Sequence, residues 1–187
     1  MPAGVVVRAQ RAQDRDAVHA VISEAFGDPE VAELDEALAE RPDSQGFVAA
    51  TKERVVGHVR LTWGWLDSPT RLVSVLVLGP LSVAPQWQRH GIGRALVSCA
   101  VSWADERGAP LLFLEGDPAY YVGSGFTPAT ELGFLRPSLR IPEPAFQVYP
   151  LRGYEEWMSG TLVYPDTFWQ FDAVGLRNHV DGRQPDA

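Results

Sequence analysis

The chain has 187 residues, 45% apolar and 21% charged, which suits one globular domain and excludes a disordered polypeptide. Its net charge of −8 argues against nucleic acid or an anionic membrane as the main partner, and no run approaches the about 18–20 apolar residues that span a bilayer. A single cysteine, Cys99, leaves no internal disulfide; the four histidines show no metal-ligand spacing, and a cytoplasmic setting is expected.

Val5 to Gln10 is β-branched and reads as a first strand. Asp14 or Asp16 is placed to cap a helix whose Val18, Ile22 and Phe26 recur at helical spacing, and Gly27 stops it. Asp28 and Pro29 open a second helix with the stripe Val31, Leu34, Ala37, Leu38. The other face of that helix is acidic, either simply solvated or a rim for a cationic substrate. Phe47–Ala50 and Val55–Thr62 read as a hairpin turning at Lys52–Arg54. Trp63 and Trp65 then share one side, to line an acceptor pocket or to cover the core.

The stretch "RLVSVLVLGPLSVAP" reads as a central strand buried on both faces, but Gly79-Pro80 interrupts it. Proline donates nothing to a ladder and glycine marks bulges, so this strand is expected to part from a neighbour halfway, freeing backbone groups that need partners. From Gly91 to Arg107, the residues Ile92, Ala95, Leu96, Cys99, Ala100 and Trp103 form one helical stripe. "PLLFLEG" is another buried strand, Asp117-Pro118 opens a short helix over "DPAYY", and "FQVYPL" is the best later strand. The order predicts an α+β fold with a mixed sheet and one strand–helix–strand crossover.

Gly91 and Gly93 stand at the entrance of a helix, where glycine costs about 1 kcal/mol relative to alanine. A helix N-terminus has unpaired N–H groups and a partial positive charge, and glycines let a phosphate lie against the backbone; Arg89 and Arg94 add charge. The segment lacks the third glycine of a dinucleotide fingerprint and the Gly-Lys-Ser/Thr of a P-loop.

"LSVAPQWQRHGIGRAL" resembles the acetyl-CoA signature of the GCN5-related N-acetyltransferases (GNAT), with Gln88, Gly91 and Gly93 on its Gln/Arg-x-x-Gly-x-Gly/Ala pattern. The later Tyr-x-x-x-Gly-Phe landmark of that family falls on Tyr121, Gly125 and Phe126. With "GDPAYYVGSGFTPA", the likeness narrows to a YhbS-like subgroup, and it covers about Val5 to Leu151. It implies a mostly antiparallel GNAT sheet with a V-shaped splay between two parallel strands, flanked by helices. The pantetheine arm of acetyl-CoA would pair with backbone at Leu81, Ser82 and Val83, and Gln88, Arg89, His90, Gly91, Ile92, Gly93 and Arg94 would seat the pyrophosphate. No metal is implied.

Acyl transfer to an amine needs a deprotonated amine, donors for the oxyanion and a proton for the leaving thiolate. The resemblance assigns the oxyanion to a backbone N–H near Leu81 and the proton to Tyr121, with direct transfer in a ternary complex. Glu115 is the leading candidate for the base, ahead of Asp117, which is better explained as a cap; His58 on its strand reads as structural, Tyr120 and Cys99 as packing. The family often has Asn where this chain has Leu114, a departure that bears on how the adenine side and the acceptor amine are held and not on the cofactor itself. The acceptor itself, a small amine, a polycation or a peptide N-terminus, is open. So is a different class of function, a non-catalytic acyl-CoA-binding sensor or interaction module. Residues 1–151 are expected to form the N-acetyltransferase domain and 152–187 an extension packed on it, with the last ~10 residues frayed. That extension could cover the acceptor cleft or serve a homodimer contact.

Overall fold

A computed structural model describes residues 1–121 and 123–175. The stretch expected to fray lies outside the described residues. Strand β1 (Val6–Ala9) leads through a 3₁₀ turn into α1 (Arg15–Phe26), followed by α2 (Pro29–Ala39). The hairpin β2 (Ser44–Ala50) and β3 (Val55–Asp67) precedes β4 (Leu72–Val83), α3 (Ile92–Glu106), β5 (Leu111–Glu115) and α4 (Pro118–Tyr121). Short β6 (Thr127–Pro128) and β7 (Phe134–Leu135), then β8 (Phe146–Pro150), β9 (Gly160–Val163) and α5 (Asp166–Gln170) complete the described chain.

The strands form one mixed sheet in the order β1-β2-β3-β4-β5-β8-β6, with β9 pairing β3 and β7. β4 and β5 are parallel, joined by the α3 crossover; most other neighbours are antiparallel. This is the α+β architecture that the element order predicts. The strand β9 is not legible in the sequence. β3 outlasts β2, whose pairing stops at Ser44↔Thr62, and β9 takes up the vacated edge at Trp65↔Val163 to Asp67↔Thr161.

Two apolar layers sandwich the sheet. Leu96, Val97 and Ala100 of α3 pack with Val59, Leu61, Leu78 and Leu112 on one face. On the other, Leu34 and Leu38 of α2 meet Val75, Val77, Phe113 and Phe168. Local chemistry sets the helix ends. Gly27 takes φ 69° and returns its N–H to the Ser23 carbonyl, while the Asp28 carboxylate accepts from the Glu30 N–H at 2.9 Å. Asp14 precedes α1 but does not cap it. Its carboxylate accepts from the Arg8 guanidinium at 2.6 and 2.8 Å and from the Arg11 N–H at 2.7 Å, a charged partnership that outcompetes the helix N–H groups.

α2 is tied to the sheet by charge. Asp35 accepts from Arg60 Nε and Nη2, both at 2.8 Å, and both residues are buried beside the fully buried His58. Among the described residues, no helix is long and apolar enough to cross a membrane.

Candidate functional site

The site begins where β4 and β5 part. They pair only at Leu76↔Leu112 and Val77↔Phe113. Beyond that point β3 meets β4 first at Leu61↔Leu78 and then at Val59↔Leu81, so β4 carries one extra residue around Gly79-Pro80. β4 stays with β3, whereas β5 follows β8 as far as Glu115↔Phe146. The Ala84 N–H donates to the Val56 carbonyl at 3.0 Å, on the β3 side. Alternation therefore turns the backbone groups of Leu81 and Val83 away from β3, into the gap. The Gln88 side chain reaches the Val83 carbonyl from that side, at 3.0 Å.

The gap opens into a cleft of about 1050 Å³. Leu81, Ser82, Val83, Gln88, Arg89, Gly91, Ile92, Gly93 and Arg94 all line it. His90 is exposed and does not line it; its Nδ1 donates to the Gln88 carbonyl at 2.7 Å, which holds the turn. Gly91 is the N-cap of α3 at φ 80°, a left-handed conformation that suits glycine. Gly93 answers to a different demand. A Cβ there would collide with the Tyr120 hydroxyl, which reaches across the cleft onto the first turn of α3. Ser82 is buried at 2% exposure, and its hydroxyl has no protein partner. A glycine-entered helix N-terminus, two arginines and inward-turned strand backbone on one cleft suit an extended ligand with a phosphate at one end.

The opposite wall carries Glu115, Asp117, Tyr120 and Tyr121. Asp117 caps α4 by accepting from the Ala119 N–H at 2.9 Å. Tyr121 is buried, with its ring centroid 5.0 Å from Tyr120 and 5.6 Å from Phe126, and it packs against the bare α-carbon of Gly116. Burial raises its pKa, with Tyr120 adding to the rise, so the phenol stays protonated and can only give a proton. Glu115 is half-buried at the end of β5. Burial pushes its carboxyl above the usual range, opposed by the Gly175 N–H, which donates to Oε2 at 3.2 Å, and by Arg140. A raised carboxyl is a better proton acceptor than an ordinary one.

Some residues singled out in the sequence lie elsewhere. Trp63 packs on the α3-side core and Trp65 is 49% exposed; neither lines the cleft. Cys99 packs on the same core, and burial raises its thiol pKa, with Glu106 adding to the rise. The acidic face of α2 also turns away: the helix sends Val31 and Leu34 to the cleft, while Glu36 pairs with His19 at 3.0 Å. Sequence reasoning missed Phe26, Tyr164 and Phe168 as lining residues. The aromatic density of the tail was the one available signal.

Residues 15–124 match the acetyltransferase (GNAT) family. The uncharacterized N-acetyltransferase YjhQ of Escherichia coli (strain K12) is 30% identical over 138 residues, which span 70% of this chain and 74% of that protein. The structure is similar to that of YhbS, a GNAT family N-acetyltransferase from Escherichia coli solved in complex with CoA. Its TM-score is 0.80 at 25% identity, over 90% of this chain and 94% of that one. A GNAT family acetyltransferase from Brucella melitensis, solved in complex with acetyl-CoA, has the same fold at TM-score 0.71 and 24% identity, over 88% of this chain and 97% of that one.

Proposed function

The chain belongs to the acetyltransferase (GNAT) family, and from that premise we propose that it moves the acetyl group of acetyl-CoA to a primary amine by direct attack in a ternary complex. One observation carries the reading: the inward backbone of Leu81 and Val83 and the N-terminus of α3 open onto the same cleft as Tyr121 and Glu115. A similar protein, YhbS, was solved with CoA. The cleft fits this donor, because it offers strand backbone for amide groups, a buried hydroxyl in need of a partner at Ser82, and N–H groups with Arg89 and Arg94 for phosphates.

In this reading the acyl donor supplies an activated thioester, and the chain supplies everything else. Arg89 and the turn from Gly91 to Arg94 hold the pyrophosphate end, and His90 only braces that turn through the Gln88 carbonyl. Leu81, Ser82 and Val83 align the arm, and the Leu81 N–H points where negative charge gathers on the carbonyl oxygen. Glu115 takes the proton that the attacking ammonium must lose, directly or through a water. Tyr121 gives its proton to the departing sulfur. Residues 1–151 hold these groups, and the described part of 152–187 walls the acceptor end.

Thiol release from acetyl-CoA across pooled amines, for wild type and Tyr121→Phe, tests the reading. Acceptor-dependent release that falls about 10²-fold in the variant, with acetyl-CoA affinity kept, supports it. Equal rates in the two proteins remove Tyr121 from the chemistry.

A further inference from the structure

The two ends of the cleft differ in chemistry. Among the described residues, four charged ones line it: Arg89 and Arg94 at the α3 end, Asp117 engaged with the Ala119 N–H at the start of α4, and Glu115. Beyond Glu115 the walls are apolar and come from two distant parts of the chain. Phe26, Val31 and Leu34 approach from α1 and α2, and Tyr164 and Phe168 approach from the tail. Phe26 is 48% exposed at the mouth, whereas Phe168 is 6% and Tyr164 5% exposed. Of the acids on α2, Asp35 is bound to Arg60 and Glu36 to His19.

Resting on the N-acetyltransferase reading above, we infer that the acceptor is a small primary amine carried on an uncharged apolar body, its nitrogen at Glu115 and its body between the α1–α2 wall and the tail aromatics. Among the described residues Glu115 is the carboxylate at this end of the cleft; it accepts one backbone N–H, from Gly175, and a single carboxylate matches a single ammonium. A polycation would bring further ammonium groups against Phe26, Val31, Leu34 and Phe168, where each would lose hydration and, among the described residues, no carboxylate lines the wall to replace it. An apolar body gains by the same contact, at about 25 cal/mol per Å² removed from water. The raised carboxyl of Glu115 agrees with this setting, since the same low-polarity surroundings produce it. On this reading the tail selects the substrate and does more than extend the fold.

The test compares kcat/KM for phenethylamine and hexylamine with spermidine, kanamycin and a short peptide N-terminus, with acetyl-CoA binding followed by calorimetry on the same protein. The expected result is at least a tenfold preference for the two apolar amines. Phe168→Ala should raise KM for phenethylamine about tenfold or more with little change in acetyl-CoA affinity, and Phe168→Leu should restore most of it. Because Phe168 is buried and its truncation could harm folding, Phe26→Ala at the exposed mouth is the second variant. It should raise KM for the apolar amines several-fold with little change in acetyl-CoA affinity. A preference for spermidine, kanamycin or the peptide overturns the inference and leaves the acetyltransferase reading standing. Acetyl-CoA binding with no turnover of either apolar amine also overturns it. Failure to bind acetyl-CoA at all overturns both readings.

Discussion

Asp35→Asn removes one charge from a pair that anchors α2 to the sheet. Asp35 and Arg60 are 2% and 3% exposed, and the carboxylate takes two guanidinium bonds at 2.8 Å each. The variant leaves the guanidinium charge buried, which costs about 3–5 kcal/mol when one partner of a buried pair is lost. Gln10 Oε1 still accepts from Arg60 Nη2 at 2.9 Å, which favours the lower end of that range. For a chain of this size about 3 kcal/mol corresponds to a fall in Tm of roughly 6–12 °C. Urea unfolding followed by circular dichroism measures the change directly. The double variant Asp35→Leu with Arg60→Met, which removes both charges, should recover most of the loss. A single variant within 1 kcal/mol of wild type, or a double variant no better than the single one, refutes the argument. The consequence reaches the site, because Val31 and Leu34 of the same helix wall the cleft. A loosened α2 should therefore raise KM for the acceptor before it touches acetyl-CoA affinity.

The remaining predictions concern charge and protons. His58 is fully buried, and its pKa is lowered to about 4, chiefly by desolvation, with Asp35 opposing and Arg60 adding to the fall. The unfolded chain then binds the extra proton between about pH 6.5 and 4, so stability is lost as pH falls through that window, by about 2 kcal/mol between pH 6.5 and 5. Urea titrations at the two pH values should show that loss in wild type and a smaller one in His58→Gln; equal losses would assign the acid sensitivity elsewhere. Gly91→Glu puts a side chain at φ 80° and a negative charge on the proposed phosphate seat, and calorimetry should find acetyl-CoA binding abolished. Glu115→Gln should lower kcat about 10²-fold. Because the Glu115 carboxyl is raised by burial against Gly175 N–H and Arg140, the acid limb of wild-type kcat/KM should lie above the usual carboxylate range and vanish in the variant. An unchanged pH profile would remove Glu115 as the base.

Features whose cause is local are legible in the sequence. The stripe of α3 follows from a 3.6-residue period, and the parting of β4 from β5 from a Gly-Pro step inside an apolar strand. The left-handed turn into α3 follows from Gly91 at a helix entrance, and two short motifs pointed to the family. Tertiary structure decided what depends on residues far apart in the chain. Phe26, Val31 and Leu34 meet Tyr164 and Phe168 across more than a hundred residues, and nothing in either segment marks the other. The α2 carboxylates look alike in sequence, yet Asp35 alone is buried against Arg60, because only its place on the helix faces β3. β9 exists because β3 runs on to Asp67 past the end of β2, and an unpaired strand edge needs hydrogen-bond partners that four tail residues happen to supply. Backbone demands and periodicity are written in neighbouring residues, whereas pairing and packing are settled only when distant ones meet.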